Sequence, residues 1–469
     1  MSSIRPYIWS FINTGGAQVI GFLSSMIIAR VAMPSDFGIL AICAAIILVC
    51  NIFSEGGLAS IIIVDKDFCE KKASTILWII IILSITVFMT LNFFTSLIAD
   101  YLNYQVIESV LPLMAFSILA TAFGAVHAAI VVRQMRFKTK AILSISSSLC
   151  GSIIGILISY TYDPLMGLIA IFTISPILLS CGLWIFIRWN ISFSLKPSLI
   201  YKDITFSLNI SGSNLLDQIS KSLLIFLFNN TYGLTNLGLY NRADAIKNIS
   251  SNAIDKSVQR VSFPILSMKN HIKTEKAFLE HIKISTSLIL LLSPLVFFIS
   301  NFAENIVLII YGQNWLNSAP ILSLLIFGGI FIPITSVNLS LLKSTGYSSL
   351  LTLNKLLALL LIPIVFFIAQ DNNLDYFLKS LIVYFISLYF VSVISISKVQ
   401  SFSLSLYFSR IVIVSIITSI PMILFNLIVD ISISNNFLNL LLNVIIFISF
   451  IMPTYFIFWK YIYDKREKI

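Results

Sequence analysis

The stretch NLGLYNRADAIKNISSNAIDKSVQR, residues 236–260, carries Arg242, Asp244, Lys247, Asp255, Lys256 and Arg260. At 100° per residue Asp244, Asn248, Ser251, Asn252, Asp255 and Gln259 fall in one narrow sector of a helix. Ile246, Ile249, Ala253, Ile254, Val258 and Val261 cover the rest, so the segment is an amphipathic helix with one polar stripe. The preceding run repeats the pattern: Ser207, Ser211, Asn214, Gln218 and Lys221 share a face, with Asp217 beside them. Asp217 and Lys221 stand at i, i+4 in the favourable acid-before-base order. Sparser counterparts occur early in the chain, Asn13 and Gln18, then Asn51 and Glu55. Such residues bind charged and polar groups; nothing in their spacing suggests covalent chemistry.

What positions them is a membrane. Of 469 residues 58% are hydrophobic and 11% charged, with 37 Phe, whereas a soluble domain is about a quarter charged. At about 20 residues per crossing the chain accommodates roughly 14 transmembrane helices. The apolar runs predict spans at 7–31, 36–64, 74–99, 108–132, 141–161, 165–187, 204–230, 237–265, 284–309, 320–342, 351–369, 376–397, 410–429 and 438–458. Both polar stripes therefore lie inside spans. A charge at the bilayer centre costs about 2.5–3.5 kcal/mol on insertion scales, so the stripes must face water, other protein groups or a polar ligand. Arg242 and Arg260, near the two ends of their span, have room to snorkel; Lys247 and Asp255 do not. The plainer alternative is that these charges pair with one another and lock helix packing.

Alternate loops differ in basic residues. One set holds Lys66, Lys71 and Lys72, then Arg133, Arg136, Lys138 and Lys140, then Arg188, Lys196 and Lys202, and so on to Lys465, Arg466 and Lys468. The opposite set, DYLNYQVIE, YDP, TYGLTN, YGQNWLNSAP, QDNNLD and DISISNN, has no Lys or Arg. The positive-inside rule places the basic loops and both termini in the cytoplasm. The net charge of +10 is thus a topology signal rather than a nucleic-acid footprint. Cys43, Cys50, Cys69, Cys150 and Cys181 have no paired spacing, the three His are scattered without carboxylates at ligand spacing, and no GxxxxGK[ST] occurs. With no loop large enough for a catalytic domain, the sequence predicts a transporter and no enzyme, metal or resident cofactor.

The chain also repeats. VAMPSDFGILAI (31–42) and TYGLTNLGLYNR (231–242) each read as a polar turn followed by Gly-Ile or Gly-Leu opening a helix; Gly38 and Gly238 stand 200 positions apart, as do Glu55 and Asp255. Chance matching is the alternative. As a repeat, it predicts an all-α integral membrane fold with parallel halves: an N-terminal six-helix bundle over 1–190, a second over 204–397, two appended helices over 410–458 and a cytoplasmic tail, 459–469. The first two helices of each half would line a central polar cavity.

IIARVAMPSDFGILAI, EGGLASIIIVDKDF, VVRQMRFK, GLTNLGLYNRADAI and VSFPILS, in this order, resemble the Wzx-type bacterial polysaccharide flippases of the multidrug/oligosaccharidyl-lipid/polysaccharide exporter superfamily. The resemblance spans about residues 5–345. It implies a flippase that turns an undecaprenyl-diphosphate-linked oligosaccharide, an O-antigen or other surface repeat unit, from the cytoplasmic to the outer leaflet of a bacterial inner membrane. The implied substrate contacts are Lys221, Lys247, Arg242 and Arg260 for the diphosphate and Asn209, Asn214, Gln218 and Asn248 for hydroxyls. Asp217, Asp244, Asp255 and Glu55 become candidates for H+ or Na+ coupling; relatives often carry an acid where this chain has Leu224. Membrane lipid, a polysaccharide polymerase and chain-length proteins are the implied partners. A drug or cation exporter of the same superfamily, a peptidoglycan-precursor flippase and a polytopic polymerase or ligase are the rivals.

Overall fold

The structure, a computed structural model, describes residues 4–65, 69–193, 195–270, 274–344, 347–369 and 373–398, with Tyr407, Ser409, Ile411 and Phe447 beyond them. The predicted spans 410–429 and 438–458 and the tail 459–469 otherwise lie outside the described residues. All regular structure among the described residues is helical, and nine helices there are long and apolar enough to cross a membrane. Helices close every backbone hydrogen bond within themselves, which hydrocarbon demands. The chain divides into two compact units, Met1–Gly238 and Leu239–Ile469.

The first unit holds α1 (Ile4–Ala29), α2 (Pro34–Glu55), α3 (Leu58–Val64), α4 (Glu70–Phe93), α5 (Thr95–Leu102), α6 (Val106–Arg133), α7 (Phe137–Thr161), α8 (Pro164–Phe186) and the start of α9 (Ile204–Asn270). Local sequence sets the starts. Pro34 occupies the first turn of α2, and Asp36 Oδ2 accepts the Met33 N–H at 2.8 Å. Asp163 likewise caps α8 by accepting the Met166 N–H at 2.9 Å. α7 and α8 approach through small residues: a Cβ on Gly155 would come within 2.7 Å of the Gly167 carbonyl oxygen.

Several expected boundaries need correction: the spans predicted at 74–99 and 284–309 are each interrupted, at Phe94 and at Phe302. The span predicted at 36–64 is two helices, because Gly56 (φ 56°) and Gly57 (φ 62°) turn left-handed between α2 and α3. Ser207 Oγ donates to the freed Gly56 carbonyl, and a Cβ on Gly57 would lie 2.5 Å from Ser211 Oγ. The predicted loop at 231–236 is instead a kink at one residue, Gly233 (φ 79°, ψ 171°), within α9.

The repeat has a physical signature. A Cβ on Gly38 would overlap the Leu234 carbonyl oxygen, and a Cβ on Gly238 would overlap that of Pro34. Residues 34 and 38 thus meet 238 and 234 reciprocally, at an offset of 200 in both directions.

The second unit contains the rest of α9, then α10 (Thr274–Asn301), α11 (Ala303–Ile310), α12 (Ser318–Ser344), α13 (Ser348–Ala369) and α14 (Leu374–Ser397). The eight-residue α11 after α10 corresponds to the eight-residue α5 after α4. Its core includes buried polar groups: His281 Nε2 meets Asn338 Oδ1 at 2.8 Å, Asn338 Nδ2 donates to Ser392 Oγ at 2.7 Å, and Tyr407 Oη donates to Asn338 Oδ1 at 3.3 Å. Asn354 Nδ2 donates to Ser395 Oγ at 2.8 Å. These bonds tie α10, α12, α13 and α14 together where apolar contact alone discriminates poorly against lipid.

Candidate functional site

In the first unit the site is one face of α9. Ser207 anchors the helix at the Gly56 carbonyl, and Ser222 Oγ donates to the Ala45 carbonyl of α2 at 3.1 Å. Next to these docked serines Asn214, Asp217 and Lys221 are exposed, three and four residues apart, and Gln218 beside them is half-buried. Gln218 Nε2 lies 3.4 Å from Ser222 Oγ. Among the described residues Lys221 enters no ion pair, so the pairing with Asp217 that the spacing permits is not made. An amide, a carboxylate and an ammonium are thus exposed along one side of α9, which is not among the nine helices apolar enough to cross a membrane. Glu55, the last residue of α2, is also exposed, with Lys140 of α7 in electrostatic range.

The second unit holds the other half of the predicted set in a different state. Asp244 binds two neighbours at once: Oδ1 accepts Lys247 Nζ at 2.5 Å and Oδ2 accepts Asn248 Nδ2 at 2.6 Å. Lys247 is buried, its ammonium 5.2 Å from the centroid of the Phe385 ring on α14. Lys247 is therefore a neutralised cation, in contrast to Lys221. Arg242, expected to have room to snorkel, is buried as well; Nη2 donates to Asn241 Oδ1 at 2.6 Å and its carbonyl accepts from Tyr311 Oη at 3.4 Å. The reason is local: the buried Tyr311 and Trp315 rings, 5.8 Å apart, form the wall that covers this turn.

Thus the structure gathers Asp244, Lys247 and Asn248 into one cluster and Asn214, Asp217, Gln218 and Lys221 onto one face. The side chains of Asn209, Asp255 and Arg260 lie outside the described residues. Asn241, Tyr311 and Phe385 are contributors that the sequence reading missed. Asn241 abuts the stripe and its amide was a usable signal; Tyr311 and Phe385 come from distant helices and gave none.

Comparison with known proteins bears on the family and the fold. Residues 27–320 match the family described as "Polysaccharide biosynthesis protein". The succinoglycan biosynthesis transport protein ExoT of Rhizobium meliloti is 23% identical over 73% of this chain and 69% of its own. The lipopolysaccharide biosynthesis protein WzxC of Escherichia coli is 21% identical over 69% of this chain and 66% of its own. Among solved structures, the lipid II flippase MurJ in an inward closed conformation superposes with a TM-score of 0.76 at 15% identity, covering 99% of both chains. The chain belongs to the polysaccharide biosynthesis protein family and is a multi-pass membrane protein with the fold of the multidrug/oligosaccharidyl-lipid/polysaccharide superfamily.

Proposed function

We propose that the protein is a flippase carrying an undecaprenyl-diphosphate-linked oligosaccharide from the cytoplasmic to the outer leaflet of the inner membrane by alternating access, both termini lying in the cytoplasm. The observation that carries this reading is the polar face of α9: Lys221 is exposed beside Asn214 and Asp217, a side that suits water or a polar ligand rather than acyl chains. A diphosphate is a compact anion that a lysine in a cleft of low dielectric attracts strongly, while Asn214 and Gln218 suit sugar hydroxyls and the polyprenyl tail stays in lipid. The names of the relatives, a succinoglycan transport protein and a lipopolysaccharide biosynthesis protein, support a glycan cargo.

Lys247 has a second-stage role in this reading. Its ammonium is held by Asp244, so an anion must displace that carboxylate, and neutralising Asp244 with H+ or Na+ would release the lysine. Ion coupling is accordingly assigned to Asp244, with Asp217, Glu55 and Asp255 as the remaining acids of the stripes.

The test is complementation of a flippase-null strain. Lys221→Ala should abolish surface glycan and make lipid-linked repeat units accumulate, with normal protein levels, while Lys221→Arg keeps most of the activity. Full export by the alanine variant would remove Lys221 from the site. A drug exporter would instead change drug susceptibility and leave the glycan untouched.

A further inference from the structure

Residues 187–203, between α8 and α9, are strapped to the end of α4. The Ser192 N–H donates to Ser74 Oγ at 3.0 Å, the Ser192 carbonyl accepts from Trp78 Nε1 at 3.1 Å, and the Lys196 N–H reaches Thr75 Oγ1 at 3.4 Å. Lys72 Nζ closes the strap by bridging Asp65 Oδ2 at 2.6 Å and Asp203 Oδ2 at 2.7 Å. Trp78 lies eight residues into α4, about 12 Å along its axis. The strap therefore lies beside the first turns of a helix long and apolar enough to cross a membrane.

The strap has two sides. Ile187 and Ile200 are buried in an apolar cluster with Leu77, Ile80 and Leu183. The other side turns out Phe193, 89% exposed although it stacks on Trp78, and Tyr201, 77% exposed, along with Leu195 and Leu199. Arg188, Lys196 and Lys71 are exposed around them. Asp203, the one acid of the strap, is already occupied by Lys72. Large apolar groups beside the start of α4, ringed by three cations against one nearby carboxylate, Glu70, which accepts the Asn190 N–H at 3.5 Å, form a complement to an anionic lipid surface.

We propose that this strap is a binding site for anionic phospholipid on the basic side of the membrane: Phe193, Leu195, Leu199 and Tyr201 enter the boundary between headgroups and acyl chains, and Arg188, Lys196 and Lys71 bind the lipid phosphate. The site is separate from the α9 face and does not depend on the transported cargo.

The experiment has two parts on the full-length protein. A nitrobenzoxadiazole label on a cysteine at 193 or 201, with the five native cysteines changed to Ser, is read in bilayers of phosphatidylcholine with phosphatidylglycerol. Quenching by spin-labelled lipid with shielding from iodide is expected. Free quenching by iodide, or shielding from both quenchers, would overturn the proposal. Native mass spectrometry of the otherwise unaltered protein then counts bound phosphatidylglycerol against phosphatidylcholine. Arg188→Glu with Lys196→Glu should lower the preference for phosphatidylglycerol about tenfold or more. An equal preference before and after the change would also overturn it, and this arm stands if the cysteine-free background fails to fold.

Discussion

At the scale of the residue, the two lysines of the predicted site show why a helical wheel locates chemistry without resolving it. The wheel gives each side chain an angle, which was enough to place Asp244, Asn248 and Lys221 on polar faces. It cannot say which lysine is neutralised, because that depends on Asp244 choosing Lys247 and Asn248, and on Phe385, 138 positions after Lys247 in sequence, standing over the ammonium. The pairing makes a prediction. Asp244→Ala leaves Lys247 buried without its carboxylate, which should cost roughly 3 kcal/mol, the low end for breaking a buried pair because Asp244 retains some exposure. Adding Lys247→Met removes the stranded charge and should recover most of that loss. Thermal unfolding of purified protein in detergent checks both; a double variant no more stable than Asp244→Ala would show that the acid is needed for something other than the pair. Asn338 poses the same problem in neutral form. It bonds His281, Ser392 and Tyr407, so Asn338→Leu should cost roughly 2–3 kcal/mol by orphaning buried partners, while sequence reading saw only a scattered histidine.

At the scale of the element, the apolar runs were legible because bilayer thickness fixes helix length, and the breaks were less so. Gly56-Gly57 sits within a run that hydropathy reads as continuous, and only the left-handed backbone, supported by Ser207, divides it. The Gly38 and Gly238 match was legible as an offset, and the structure supplies its reason: each glycine admits the carbonyl of the other's turn. Backbone oxygens cannot swing aside as side chains do. Gly38→Ala and Gly238→Ala should therefore each lower the unfolding temperature and cut transport at least severalfold, although alanine is the better helix former by about 1 kcal/mol. Gly21→Ala is the control, since a Cβ there would meet nothing within 4 Å; it should be neutral or slightly stabilising. Equal behaviour of all three variants would mean that the reciprocal contact yields easily and sets no constraint on the fold.

At the scale of the whole molecule, orientation rests on the loops. Hydropathy gives spans but no direction; direction comes from the basic residues, through their bias toward the cytoplasm. The described connections follow the alternation except at the α1–α2 turn, where Arg30 lies on the side otherwise without basic residues. Gln134 and Lys196 lie at basic turns, whereas Asn103, Tyr162 and Gly312 lie at turns without Lys or Arg. Green fluorescent protein fused after residues 134 and 196 should fluoresce and alkaline phosphatase there should be silent; after 103, 162 and 312 the pattern should reverse. Phosphatase activity at 134 and 196 with fluorescence at 103, 162 and 312 would preserve the spans and invert the protein. Inversion would place the lipid-binding strap on the outer side and reverse the sense in which the α9 face receives cargo, so the direction of flipping stands or falls with this alternation. A mixed pattern would have a different consequence: it would break the even count of crossings per half, and with it the parallel relation that brings residues 34 and 38 to 238 and 234.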